Sequence, residues 1–153
     1  MDFILPMRFD SISTMRDKLE KIASKYEGDV SHRIAYNFPL KIAKGSIKKN
    51  SLFNFPVLKT HEYCVAYVCD DDLKHEVLHA IYYKNEMYRK MIHKLFIQLS
   101  DTNQERVNKT MSELGYDKAF WLDEFQAYMF SEENPIKFFK FKKIDKTESK
   151  SIL

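Results

Sequence analysis

Apolar positions along this chain change their period several times, and each change marks an element. Ile12, Met15, Leu19 and Ile22 recur every three or four residues. This predicts an amphipathic helix, capped by Ser11 or Ser13, running to about Tyr26 and closed by Gly28. Between Ser31 and Val57 the period shortens. The runs "RIAYNF", "LKIAKGSI" and "SLFNFPVL", interrupted by Pro39, Gly45 and Pro56, predict short strands and turns, with the basic residues of "KGSIKKN" on an exposed turn. The almost unbroken apolar run "EYCVAYVC", Glu62 to Cys69, predicts a well-buried strand.

Asp70, Asp71 and Asp72 then offer capping oxygens and favourable charge for a helix start, and no Gly or Pro follows before Gly115. A single long helix from about Asp72 to Ser100 is therefore expected. On it Leu73, Val77, Ile81, Tyr88, Met91 or Ile92, and Leu95 form an apolar stripe. His75, His79, Tyr82 or Tyr83, and Glu86 form a neighbouring one. "SDTNQ" caps a third helix, Asn103 to Leu114, which Gly115 ends. "AFWLDEFQAYMF" reads as a fourth. After Asn134-Pro135, Lys alternates with Phe, and a last strand is expected over Lys137 to Phe141, followed by a loose tail. Its lysines suit a solvated edge strand; phosphate and base contacts are the alternative reading of the same pattern. The fold class is thus α+β: a short mixed or antiparallel sheet packed on the histidine-bearing helix, with a helical C-terminal half. Residues 1–136 are read as one domain and residues 137–153 as a basic, Lys/Phe-containing segment.

Composition narrows the function classes. With 153 residues, 44% apolar and 14% aromatic, the chain has enough bulk for one core. Its 25 basic and 22 acidic residues are intermixed, so no nucleic-acid footprint emerges. Cys64 and Cys69 match neither a disulfide framework nor a thiolate zinc knuckle; a reduced, buried pair on a strand and an intracellular, cytoplasmic setting are expected. The start "MDFILPMRFDS" lacks the basic segment and apolar core of a secretory signal, and no apolar window is long enough for a membrane span.

Of five histidines, two stand in His75-Glu76-Val77-Leu78-His79. Imidazoles at i and i+4 on a helix share a face and can reach one Zn²⁺ at about 2.0 to 2.1 Å. Glu76 is turned roughly 100° away. Its carboxylate can serve as general base toward a metal-bound water without occupying the metal, which points to peptide hydrolysis. The bland alternative leaves all three on a half-exposed helix surface. His93, about fourteen residues along the same expected helix and roughly 21 Å away, cannot ligate that metal.

His75-Glu76-Val77-Leu78-His79-Ala80 resembles the signature of the zincin superfamily of metallopeptidases, and "DEFQAYMF" resembles the second-helix motif of its glutamate-liganded branch, the gluzincins. Minigluzincins are peptidases of about this length. The resemblance covers about Asp70 to Phe130. It implies a small zincin-like catalytic domain: a zinc-dependent endopeptidase with Zn²⁺ held by His75, His79 and Glu124, Ala127 permitting close helix approach, and peptide or protein substrates adding to an exposed strand. Asp117 and Asp123 stay open as third ligands, and Asp123 alternatively as the residue orienting a ligand histidine. The metzincin continuation departs, with Tyr82 and Asn85 where Gly and His belong. Tyr128, one turn after Glu124, is a candidate oxyanion donor or a core aromatic; Tyr82 and Tyr83 have comparable claims through their nearness to His79. Trp121, Phe120, Phe125 and Phe130 are read as core. The rival function is a catalytically silent binding module, viral or mobile-element encoded, recognising a protein or nucleic-acid partner.

Overall fold

The structure, a computed structural model, describes residues 1–46, 52–53 and 55–142. The elements follow in the order β1 (Ile4–Arg8), α1 (Ile12–Glu27), β2 (Tyr36–Pro39), a 3₁₀ turn (Leu40–Ser46), α2 (Phe55–Thr60), β3 (Tyr63–Tyr67), α3 (Asp70–Lys84), α4 (Glu86–Ile97), α5 (Asp101–Glu113), a 3₁₀ turn (Lys118–Phe120), α6 (Trp121–Ser131) and α7 (Pro135–Phe138). The fold is α+β, and chain contacts divide it into two compact units, Met1–Ala80 and Ile81–Leu153.

In the first unit a three-stranded mixed sheet has the order β1-β3-β2. β3 lies in the centre, parallel to β1 and antiparallel to β2, with Val65 opposite both Pro6 and Asn37. A central strand meets side chains on both faces, which is why "YCVAY" is apolar almost throughout. Helix α1 packs Met15, Leu19, Ile22 and Ala23 into a core with Tyr36, Phe38, Phe53, Cys64 and Ala66. Ser11 caps it by accepting from Thr14 N, and Gly28, at φ 85°, ends it by donating its N–H to the Ser24 carbonyl.

Several sequence expectations are corrected here. Ile4–Arg8 forms a strand where only a short apolar stretch was read; Pro6 is tolerated because β1 is an outer strand. "LKIAKGS" is a 3₁₀ turn, not a strand: Leu40 and Ala43, three apart and both buried, follow its period. Phe55–Thr60 is helical, and Pro56 near its start lacks the N–H that a sheet ladder requires but a first helical turn does not. The proposed basic turn falls mostly on residues 47–50, outside the described residues. Of the cysteine pair, Cys64 is buried, which pushes its thiol well above the ordinary range, whereas Cys69 is exposed.

In the second unit α4, α5, α6 and α7 surround Ile92, Leu95, Val107, Met111, Phe125, Met129 and Phe139. The expected long helix is two. Asn85 is extended, at φ −108° and ψ 103°, and its side-chain oxygen accepts from Tyr88 N at 3.0 Å, starting α4 one residue after α3 ends. Arg89 Nη1 donates to the Tyr82 carbonyl at 2.8 Å and also to that of Tyr83, covering two of the acceptors that end α3. Asn85→Ala is expected to cost about 1 kcal/mol, read as a lower urea midpoint at unchanged slope.

The expected terminal strand over Lys137 to Phe141 is likewise corrected. Asn134 accepts from Lys137 N at 3.0 Å and Pro135 takes the first helical position, which commits Pro135–Phe138 to a helical turn. Phe139 is buried in the core, and Lys142 N donates to Asn103 Oδ1 at 3.0 Å. Residues 143–153 lie outside the described residues. No helix among the described residues is long and apolar enough to cross a membrane.

Candidate metal centre

Helix α3 follows the central strand at once, so the sheet delivers the His-Glu-x-x-His segment in a fixed position. Asp70, Asp71 and Asp72 occupy its first turn, where negative charge complements the helix dipole. Burial raises the carboxyl of Asp72 above its ordinary range, with His75 opposing the shift and Asp71 adding to it.

The side of α3 that is most deeply buried is the polar motif, not the apolar stripe read from the sequence. Glu76, His79 and Ala80 are buried, while Leu73, Val77 and Ile81 are only half-buried. A buried Glu beside a buried His is uncommon unless the groups are paired or bind something. The rings of His75 and His79 meet edge to face, with centroids 4.9 Å apart and planes 70° from parallel.

Glu76 is held from the sheet. Asn37 Nδ2, on β2, donates to Glu76 Oε2 at 2.7 Å, and the Tyr63 hydroxyl, on β3, donates to Asn37 Oδ1. All three residues are buried, at 6% exposure for Asn37, 7% for Glu76 and 0% for Tyr63. Sequence reading missed Asn37 and Tyr63. The available signal was an Asn inside the apolar run "AYNFP", a residue that strands disfavour and that a core strand admits only when its amide is satisfied.

On α6, Glu124 and Ala127 are buried one turn apart. Among the described residues, His75, His79 and Glu124 form a group whose ligand atoms all lie within 4.8 Å of one another. Ligands of a tetrahedral zinc at about 2.0 to 2.1 Å stand roughly 3.4 Å apart, which falls inside that 4.8 Å limit. Two imidazoles and a carboxylate are also the donor types that a divalent transition metal prefers, with one position left over. The residues present therefore fit a metal ion.

The other candidates are placed differently. Asp117 is exposed and caps the 3₁₀ turn by accepting from Ala119 N at 2.9 Å. Asp123 is buried and accepts from Gln126 Nε2 at 3.0 Å, and the Tyr88 hydroxyl donates to Gln126 Oε1 at 2.8 Å. Burial pushes the Tyr88 phenol up to about 12, with the charge of Asp123 adding to the effect. Tyr82 is raised for the same two reasons, with Arg89 opposing. Both phenols thus stay protonated and able to donate at neutral pH. Tyr128 is half-buried in an aromatic cluster: its hydroxyl pairs with that of Tyr116 at 2.9 Å, and its ring stacks on Phe138 at 4.5 Å. Phe125 is fully buried, and Phe120, Trp121 and Phe130 are half-buried. His93 is exposed and, with α3 ending at Lys84, stands on a different helix from His79.

Compared with protein-family models, curated proteins and solved structures, the chain matches none.

Proposed function

We propose that this chain is a zinc-dependent peptidase of the gluzincin kind, with His75, His79 and Glu124 as ligands and Glu76 as general base. The observation that carries the reading is the group of two imidazoles and a carboxylate with ligand atoms within 4.8 Å, drawn from positions separated by 45 residues between His79 and Glu124. A chance surface motif has no reason to meet a buried carboxylate from so far along the chain. Bound there, zinc would acidify water and polarise a peptide carbonyl.

The protein's own groups supply the rest. The carboxylate of Glu76 accepts the proton of the attacking water and passes it to the departing amine, so that neither hydroxide nor an amide anion need form free in solution. Its burial removes competing solvent, and the amide of Asn37 holds one carboxylate oxygen, Oε2, in place. A purely structural metal would give Glu76 no task, which is why the peptidase is preferred to a silent binding module.

The test is zinc content together with cleavage. Protein dialysed against zinc and then freed of excess is expected to carry one ion per chain and to cut members of a fluorogenic peptide library. Treatment with 1,10-phenanthroline should abolish cutting and zinc readdition restore it. A chain that retains no zinc after dialysis refutes the assignment.

A further inference from the structure

The geometry points to Asn37 and Tyr63 as positioning residues for Glu76. We infer that the sheet, through this pair, sets the orientation of the general base; the inference rests on the peptidase reading above.

A glutamate side chain has rotatable bonds enough to swing its carboxylate through several ångströms. A general base is effective only within about 2.6 to 3.2 Å of the proton it takes. Helix α3 fixes the Cα of Glu76 but not its carboxylate. Asn37 Nδ2, at 2.7 Å from Oε2, holds that carboxylate from the sheet. An Asn amide can flip its donor and acceptor ends, and a flipped Asn37 would turn a carbonyl oxygen against the carboxylate. The carboxylate, which only accepts, selects the orientation with Nδ2 toward it, and the Tyr63 hydroxyl anchors the other end of the amide by donating to Asn37 Oδ1. The chain Tyr63→Asn37→Glu76 therefore has one direction, and each link satisfies the next.

The pair is also rigid. Asn37 and Tyr63 sit on neighbouring antiparallel strands, where Asn37 faces Val65 and Pro39 faces Tyr63 across the β2–β3 ladder. Tyr63 is wholly buried. A site held from strands is more precise than one held from loops. Burying an Asn and a Glu side by side is costly unless both are hydrogen-bonded, and a plain apolar pair would pack there without that cost. A role for the arrangement beyond packing explains its presence.

The experiment is a mutant cycle on the zinc-loaded full chain, with the library peptide that the wild type cuts fastest as probe. Asn37→Asp exchanges the donor amide for an acceptor of the same shape. Tyr63→Phe removes the hydroxyl alone and guards against a misfolded Asn37→Asp. Both are expected to lower kcat by about 10- to 100-fold, the usual cost of losing a group that orients a reacting one, with zinc affinity and KM within threefold of wild type. Combined with Glu76→Gln, neither should slow the enzyme further, because a positioning residue has nothing left to position. As a readout besides activity, the side-chain amide protons of Asn37 should exchange slowly with water in NMR spectra of the zinc-loaded protein and shift on Glu76→Ala. Two variants that cut at the wild-type rate, or that slow the Glu76→Gln protein by the same factor as the wild type, overturn the inference and leave the peptidase standing. A zinc-loaded wild type that cuts no peptide overturns both.

Discussion

Glu76→Gln is expected to keep its zinc and to lose peptide hydrolysis by about 10²- to 10⁴-fold in kcat, the range that a positioned general base supplies. The substitution is suited to the purpose because a glutamine has the shape of a glutamate and its carbonyl oxygen still accepts from Asn37 Nδ2, so the buried contact at 2.7 Å can persist. What disappears is the capacity to take a proton. Since Glu76 stands outside the group formed by His75, His79 and Glu124, metal content should be untouched. Zinc per chain by mass spectrometry, beside kcat on a cleaved library peptide, separates the two effects. Equal cleavage by the variant and the wild type would remove Glu76 from the mechanism. Glu76→Asp provides a graded control: the charge remains but retreats by one methylene, and an intermediate rate is expected.

The sequence carried the local part of this site and much less of its support. His75, Glu76 and His79 are legible because helical spacing alone puts the imidazoles on one face. Glu124 needed a resemblance, since nothing local marks which acid of "LDEF" meets a distant pair. The elements with strong period or clean caps were legible too: α1 with Ser11 and Gly28, β3 as an apolar run, α5 between Ser100 and Gly115. The breaks were not. The α3–α4 break depends on Asn85 competing for a backbone N–H, a choice invisible to a search for Gly and Pro. The terminal residues read as a strand because Lys and Phe alternate, yet the Asn134 cap with Pro135 behind it outweighs a period of two over so few residues. Asn37 and Tyr63 were missed for a deeper reason. Their value lies in cross-strand register and in a contact to a helix 39 residues away in sequence, and register emerges only when the strands are paired.

Glu124→Gln should separate metal binding from folding. Gln is neutral and nearly the same size, so the buried position on α6 is refilled without a cavity. The apo variant is expected within about 1 kcal/mol of the apo wild type. Loss of a charge near the N-terminus of α6 costs roughly 0.3–1 kcal/mol, and removal of a buried carboxylate offsets part of it. Zinc affinity, in contrast, should fall steeply. If one ligand in four contributes about a quarter of the 10–16 kcal/mol that a complete zinc site supplies, its loss raises Kd by roughly 10²- to 10³-fold. Linkage turns that into a stability signature. At free zinc a thousand times its own Kd, the wild type gains about 4.1 kcal/mol over its apo form; at the same concentration the variant gains only about 0.4–1.4 kcal/mol. Urea melts of both proteins, with zinc buffered and with chelator, read all four values. A variant that zinc stabilises as much as the wild type would take Glu124 out of the metal's ligands and leave Asp123, buried one residue earlier on the same helix, as the carboxylate to test next.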